Sequence, residues 1–388
     1  MRANRRSDRK LVVWIVTVVL SAALLFAGNR IVTKDLSIMD HPEVSAKARV
    51  TELGELVEET IDGINFSSRT QYFTAKILSG ENKGKTVEAH QQIDSYLDTG
   101  ERFIKVGDRV ILLNYGAVYD YEEWVFGYYA RAEYIYVIGA LFLILLIIFG
   151  RGKGLNTVLS LVFTCLAVFC VFIPGVMAGF NVYALTILIC LFTIAMTLIL
   201  TNGISPKSVA TMLGCTAGVF AAAVITLISD RIMHLTGFID EHSVYLQQLG
   251  ENAGPIDLRA LIFAMITIGA MGALMDVAMD MASSLFEVKR HAPDISDREL
   301  FKSGMNIGRD VMGTMANTLV LAYIGSSLCT ILLRITYSNS LMEMINTESI
   351  VVELLNAIVG SLGILLTMPL TALVCVVMYR GKHTQHSK

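Results

Sequence analysis

The chain has 388 residues, of which 54% are hydrophobic and only 17% charged, and its formal net charge is −3. With a mean hydropathy of +0.58, it is too apolar for a water-soluble globular domain of ordinary composition. The composition therefore predicts an α-helical polytopic membrane protein whose main partner is the lipid bilayer, and it gives no reason to expect nucleic-acid binding.

Eight hydrophobic segments approach the roughly 20 residues that a helix needs to cross the hydrocarbon core of a bilayer. They are residues 11–27, 134–149, 155–173, 182–200, 209–228, 260–285, 311–333 and 354–378. About eight transmembrane helices are therefore expected. The first segment follows a basic start, and we expect a retained membrane anchor, with a cleaved signal peptide as the alternative.

Positive charge predicts the orientation of these helices. Lys and Arg concentrate in the connections on one side, namely residues 2–10, 151–153, 207, 289–309 and 380–382. By the positive-inside rule both termini lie in the cytoplasm and the protein sits in the cell membrane, with residues 35–132 outside. That exported segment holds 17 acidic and 10 basic residues. All six cysteines fall within the predicted helices, so no disulfide framework is expected outside.

The exported segment has the pattern of a small β-domain. Short alternating runs occupy residues 47–51, 72–78, 86–89 and 109–114, and residues 79–84 and 106–108 have the composition of turns. We expect a small extracytoplasmic β-rich domain, an OB-like fold or another small barrel. Aromatic residues then concentrate between 115 and 136, which we interpret as a belt at the membrane interface, or alternatively as a ligand-stacking surface.

Four parts follow from this pattern. Residues 1–34 form the basic segment and anchor helix, and residues 35–132 form the extracytoplasmic β-domain. Residues 133–258 contain predicted helices two to five and an outer loop, which we interpret as a connector, with a vestibule lid as the alternative. Residues 259–388 contain helices six to eight with a cluster of polar residues inside the predicted membrane region.

The sixth predicted helix carries small and acidic residues on one face. Gly269, Ala273, Asp276 and Asp280 recur at steps of three and four residues. Gly269 and Ala273 would let another helix approach closely. At about 1.5 Å per residue, Asp276 lies about 24 Å and Asp280 about 30 Å from Ala260 at the outer end. Because a carboxylate inside a bilayer costs about 2.5 kcal/mol or more, Asp276 is a candidate functional residue.

The seventh predicted helix carries a matching stripe. Asp310, Gly313 and Asn317 share one face, with Arg309 beside it, and Gly313 is a third candidate for close helix packing. Asn317 lies about 10 Å beyond Asp310, at a depth close to that of Asp276. We therefore expect the two stripes to form one site.

Two interpretations of this cluster remain open. In the functional one, Asp276 binds a cation or proton, Asp280 and Asp310 form a cytoplasmic mouth, Arg309 balances their charge, and Asn317 is a neutral ligand. In the structural one, the charged residues end helices in the headgroup region and Asn317 hydrogen-bonds a neighbouring helix.

The sequence gives little support for metal binding or for enzymatic catalysis. Ser296 and Glu299 have the spacing of a capping box, which predicts a short cytoplasmic helix. Met271, Met275 and Met279 form a stripe without His or Cys, so no metal site is predicted. Phosphate-binding, zinc-protease and serine-hydrolase motifs are absent from the sequence, so we expect neither an enzyme nor a cofactor.

Two stretches carry a family resemblance. Residues 272–280, Gly-Ala-Leu-Met-Asp-Val-Ala-Met-Asp, and residues 307–325, which begin Ile-Gly-Arg-Asp-Val-Met-Gly, resemble the YibE/F-like bacterial membrane proteins. The resemblance extends over nearly the whole chain. It implies a multi-pass protein of the bacterial cell membrane, and it supplies neither a substrate nor a mechanism.

The pattern favours an ion- or proton-coupled transporter or exporter. The alternatives are a non-transporting envelope scaffold or assembly factor that anchors the exported domain, and a channel. A homo-oligomer or a partner membrane subunit is compatible with each of them. Substrate, coupling ion and direction of transport do not follow from the sequence.

Overall fold

A computed structural model of the protein describes residues 2–34, 45–61, 66–80, 82–94, 102–114, 123–249 and 256–380. The chain divides into two compact units. One comprises Ser37–Leu145, and the other combines Met1–Leu36 with Leu146–Lys388. Each unit is built from one kind of secondary structure for most of its length, strands in the smaller and helices in the larger.

The smaller unit contains a closed five-stranded barrel. Its strands are β1 (Ser45–Ile61), β2 (Phe66–Ile77), β3 (Thr86–Asp94), β4 (Arg109–Asn114) and β5 (Trp124–Tyr129). Around the barrel they follow the order β1-β2-β3-β5-β4, and β4 closes on β1. The β3–β5 pair is parallel, whereas the other pairs are antiparallel. The prediction of a small β-rich barrel is confirmed.

Alternation along the strands explains the barrel core. In β4, Val110 and Leu112 point inward and are fully buried, while the residues between them are more exposed. Both predicted turns are present. Gly80 and Gly84 in the β2–β3 turn and Gly107 before β4 have φ values of 75°, 93° and 96°, which glycine adopts without steric cost.

The fifth strand corrects one prediction. Trp124 is 7% exposed and belongs to the barrel core, and Phe126 and Tyr129 pack against that core. The interpretation of this segment as an interfacial belt is therefore wrong for Trp124, Phe126 and Tyr129, because aromatic residues are also typical of strands. Tyr128 of the same strand is exposed. Residues 115–122 lie outside the described part of the chain. Tyr134 and Tyr136 are exposed.

The remaining elements are helical. Their bounds are α1 (Arg2–Val32), α2 (Ala132–Ala167), a π-helical turn (Val168–Phe172), α3 (Ile173–Met177), α4 (Val182–Asn202), α5 (Pro206–Met233), α6 (Glu241–Leu249), α7 (Leu258–His291), α8 (Asp297–Ser326), α9 (Leu328–Tyr337), α10 (Leu341–Asn346) and α11 (Glu348–Tyr379). The predicted capping box of Ser296 and Glu299 is formed at the start of α8, although α8 is much longer than the short helix expected there.

Length and composition make several of these helices suitable for crossing a membrane. Among the described residues six such helices are found, or up to seven if α8 and α9, which are bent by 60° at their junction, are taken as one span. The predicted spans 134–149 and 155–173 both fall within Ala132–Met177, which is counted as one of the six although it is kinked between them. The apolar helices indicate a membrane protein, and eight spans stays a prediction.

The stretch Ala132–Met177 is broken at Arg151, which has φ 49° and ψ −130°. A Cβ atom on Gly154 would lie 2.1 Å from the carbonyl oxygen of Leu146. In a straight helix residues eight apart are separated by about 12 Å. The chain therefore turns sharply at Arg151, at the boundary between the two segments that hydropathy separates.

Five long helices meet at the centre of the larger unit. One hydrophobic cluster joins buried residues of α4, α5, α7, α8 and α11, including Cys215, Leu274, Leu285 and Ile364. A second cluster joins α1, α2, the π-helical turn, α4 and the start of α7. Helices α4 and α7 contribute to both clusters and so connect the two halves of the bundle.

Glycines let α5 approach α11 closely. A Cβ on Gly214 would lie 2.3 Å from the Thr371 hydroxyl oxygen, and one on Gly218 would lie 1.9 Å from the Thr367 hydroxyl oxygen. The two glycines form a Gly-x-x-x-Gly motif, which permits close approach of membrane helices.

A second such motif brings α8 against the same helix. A Cβ on Gly304 would lie 3.1 Å from the Ala372 Cβ, and one on Gly308 would lie 2.7 Å from the Met368 sulfur. Helix α11 is therefore packed between two glycine-bearing neighbours.

Candidate functional site

The candidate site depends on how α7 and α8 pack. A Cβ on Gly269 would lie 2.6 Å from the Tyr323 hydroxyl oxygen, and one on Gly304 would lie 3.0 Å from a Leu285 methyl group. Early α7 thus meets late α8, and late α7 meets early α8, so the two helices are antiparallel. Gly269 thus lies against the tip of the Tyr323 side chain, and its role in close helix packing stays a prediction.

This register aligns the two polar stripes along the bundle axis. Counting from those contacts, Asp280 lies level with Asp310, and Asp276 lies level with Thr314. Asn317 is one helical turn, about 4.5 Å, further along α8. Asp276 is therefore bracketed in height by Asp310 on one side and Asn317 on the other.

The stripes lie on the more open side of both helices. Asp276, Asp280, Arg309, Asp310 and Asn317 are all exposed. The buried face of α7 consists of apolar residues instead, including Leu274, Val277, Ala278 and Met281. Both stripes are therefore exposed on their own helices, and we call the two stripes together the α7–α8 polar face.

The small residues predicted for helix packing have different surroundings. Ala273 is half-buried and packs against the core of the bundle. Gly313 has no atom within 4 Å of where a Cβ would stand, and the same holds for Gly272 on α7. Space for added groups therefore exists beside the acids on both helices.

The charges of the α7–α8 polar face are not paired with one another. In the described residues no ion pair or side-chain hydrogen bond involves Asp276, Asp280 or Asp310, and Arg309 lies outside ion-pair distance of them. Two acids near helix ends, in contrast, form ion pairs. Glu287 pairs with Arg290, and Asp297 pairs with Arg380, each at 2.6 Å.

A groove between α4, α5 and α7 was not anticipated. It has a volume of about 750 Å³ and is lined mainly by apolar side chains, among them Leu188 and Phe263. At one end Asp230 accepts two hydrogen bonds from the guanidinium of Arg259, one of them 3.2 Å long from Nε. The groove is therefore apolar along its length and charged at one end.

Comparison with family models matches residues 138–381 to the YibE/F-like protein family. Because the match covers more than half of the chain, the chain belongs to this family, and the resemblance noted in the sequence is confirmed over this range. The matched range begins within α2, after the barrel. Comparison with curated proteins and with solved structures finds no match.

Proposed function

We propose that this member of the YibE/F-like family is an ion- or proton-coupled transporter or exporter of the cell membrane. In this proposal both termini are cytoplasmic and the barrel is extracytoplasmic. The α7–α8 polar face forms the ion path. The observation that carries the proposal is that Asp276 and Asp280, in a long apolar helix, are exposed and have no ion-pair partner among the described residues.

Bilayer energetics explain why such a face needs a function. A carboxylate facing hydrocarbon costs about 2.5 kcal/mol or more on insertion scales, so two of them cost about 5 kcal/mol or more. That sum is comparable to the whole stability of many domains. The face must therefore meet water or another protein surface, and the open space beside Gly272 and Gly313 leaves room for a hydrated passage.

The donor set suits small cations and protons. Asp276, Asp280 and Asp310 supply carboxylate oxygens, which bind hard cations and accept protons, and Asn317 adds a neutral oxygen. Arg309 supplies a fixed positive charge near the Asp310 end. A cation entering from that end would pass Asp310 and Asp280 before it reaches Asp276.

Proton flux tests the proposal. The purified protein is reconstituted into liposomes containing a pH-sensitive dye, and a potential is imposed across the membrane. We expect flux in the parent and its loss in Asp276→Asn. Glu287→Gln, which removes an ion-paired acid from the end of the same helix, serves as the matched control and should retain flux.

Two results would contradict the proposal. One is an absence of flux in the folded parent, and the other is full flux in a folded Asp276→Asn variant. Size-exclusion profiles of each variant establish that the protein is folded. Discrete current steps in a planar bilayer would instead favour the channel, because carriers turn over too slowly to produce them.

Exposed apolar residues of the barrel support the scaffold alternative. Leu53, Leu56 and Tyr72 are exposed on neighbouring rows of β1 and β2, and exposed apolar groups of this kind are typical of binding surfaces. If the protein is a scaffold, replacing all three by Ser should abolish crosslinking to an envelope partner. Crosslinking by the parent together with an absence of ion flux would favour this alternative over transport.

A further inference from the structure

A small cavity lined by both apolar and polar side chains lies at the end of the bundle where α7 and α11 begin. Its volume is about 250 Å³, and the segment around α6, the start of α7, α9 and the start of α11 line it. The polar residues of the lining are Asp240, His242, Ser243, Thr330, Ser349 and Glu353. The cavity is separate from the α7–α8 polar face.

Three of the six polar side chains of the lining, Asp240, Ser243 and Ser349, make hydrogen bonds. Asp240 accepts hydrogen bonds from the hydroxyl and the backbone N–H of Ser243, at 2.7 and 2.9 Å, and these bonds lower its pKa. Ser349 accepts one from Arg334 Nε at 3.2 Å. Glu353 has no hydrogen bond or ion pair within the described part of the chain, so it is the free carboxylate of the cavity.

The segment over the cavity is fastened to α11 by a second acid. Glu348 accepts hydrogen bonds from the backbone N–H groups of Thr236 and Gly237 at 2.8 and 2.6 Å, and from the Thr236 hydroxyl at 2.7 Å. This carboxylate is therefore occupied, which leaves Glu353 as the unpaired carboxylate of the lining within the described part of the chain.

Below the cavity α7 and α11 run parallel in close contact. A Cβ on Gly360 would lie 3.8 Å from the Cβ of Ala270, and one on Gly363 would lie 3.0 Å from a methyl group of Leu274. Both contacts advance in the same direction along the two helices. The register can therefore be followed back one turn toward the cavity.

One turn back, two buried polar side chains face the same interface. Thr267 of α7 is 1% exposed and Asn356 of α11 is 4% exposed. The Oγ1 of Thr267 and the Oδ1 of Asn356 are buried without a hydrogen-bond partner. Buried polar atoms of this kind are rare and ordinarily have a partner, which can be a bound water or ion. Glu353 lies three residues before Asn356, on the same side of α11.

We propose that Glu353, Asn356 and Thr267 bind a monovalent metal cation of the Na⁺ class, which enters through the cavity. The site would supply a carboxylate, an amide oxygen and a hydroxyl, which are ligands that hard cations prefer. Its one free carboxylate balances a single positive charge, whereas a divalent ion would retain an uncompensated charge in a buried site. The site lies about 13 Å along α7 from Asp276, and the proposal does not depend on transport.

Sodium-dependent stability tests this site. The purified full-length protein is melted in NaCl and in choline chloride at equal ionic strength, and equilibrium binding of radioactive Na⁺ is measured in parallel. We expect a higher melting temperature in NaCl and saturable Na⁺ binding for the parent. Glu353→Gln and Thr267→Val should each lose both effects.

Glu241→Gln is the matched control, because it removes an exposed carboxylate near the cavity that does not line it, and it should keep both effects. Equal melting of the parent in the two salts, with no saturable binding, would overturn the proposal. So would retention of both effects in Glu353→Gln and Thr267→Val. Asn356→Leu provides a third variant if one of these fails to fold.

Discussion

Replacing Gly214 by Ala should destabilise the bundle, because α5 and α11 touch at this point. An added Cβ would lie 2.3 Å from Oγ1, 2.9 Å from Cβ and 3.0 Å from Cα of Thr371. Rotation of the Thr371 side chain could move Oγ1 away, but it moves neither Cβ nor Cα. The two helices must therefore separate, and the contacts of the turns on either side weaken with them.

The expected loss follows from two opposing effects. Ala is favoured over Gly inside a helix by about 1 kcal/mol. Forcing an extra carbon into a well-packed contact costs about 1–3 kcal/mol, and more where backbone must move. Because the clash here involves backbone, we expect a net decrease of about 1–2 kcal/mol in the free energy of unfolding.

Unfolding in mixed micelles with increasing denaturing detergent, followed by circular dichroism, measures this difference. Gly139→Ala is the matched control, because Gly139 lies in α2 with no atom within 4 Å of an added Cβ. It should leave stability unchanged or raise it by up to about 1 kcal/mol. If Gly214→Ala proves as stable as Gly139→Ala, the close α5–α11 contact is refuted.

Three further predictions concern single local features. Arg151→Gly should raise stability by about 1 kcal/mol, measured by the same detergent unfolding, because Arg151 holds a positive φ of 49° that glycine adopts freely. Ser296→Ala should lower it by about 1 kcal/mol through loss of the capping box on α8, whereas Ser296→Asp should largely preserve it. Glu348→Gln should speed hydrogen exchange of the backbone amides of residues 236 and 237, because these amides donate hydrogen bonds to the Glu348 carboxylate. Exchange in α5 should stay unchanged.

The barrel shows what period-two patterning can predict. The run 109–114 coincides with β4, because its inward residues are apolar and its flanking turn contains Gly107. The strand β5 was missed because its aromatic residues do not alternate with polar ones, and because a neighbouring apolar helix makes a membrane interface plausible. The pairing of β5 with β3 and β4 shows that this segment is a strand, which its local sequence pattern does not.

Among the helices, hydropathy located the apolar segments but not their contacts. The Gly-x-x-x-Gly pairs 214/218 and 304/308 are visible in the sequence and are the signal that could have predicted the packing around α11. Gly269 of the predicted packing face lies against the tip of the Tyr323 side chain of α8. Gly313 was chosen by the same reasoning yet faces open space, because spacing along a helix does not reveal which neighbour covers which face.

Only some residues of the candidate sites can be predicted from the sequence. The acids of α7 and α8 stand out because ionisable residues are rare in apolar helices. Glu353 is not among the predicted site residues because the last predicted span begins at residue 354, one position after it. Thr267 and Asn356 are neutral and lie in apolar runs, so their significance appears only once their burial and their lack of partners are known.

Water access to the α7–α8 polar face is the most direct test of the proposed ion path. Gly313→Cys places a thiol beside the acids, and its labelling by a membrane-impermeant thiol reagent is compared with that of Leu373→Cys, an exposed position on α11, after subtraction of the parent signal. The proposal predicts that the impermeant reagent labels Gly313→Cys and leaves Leu373→Cys unlabelled. Labelling of Gly313→Cys only by a membrane-permeant apolar reagent would contradict it.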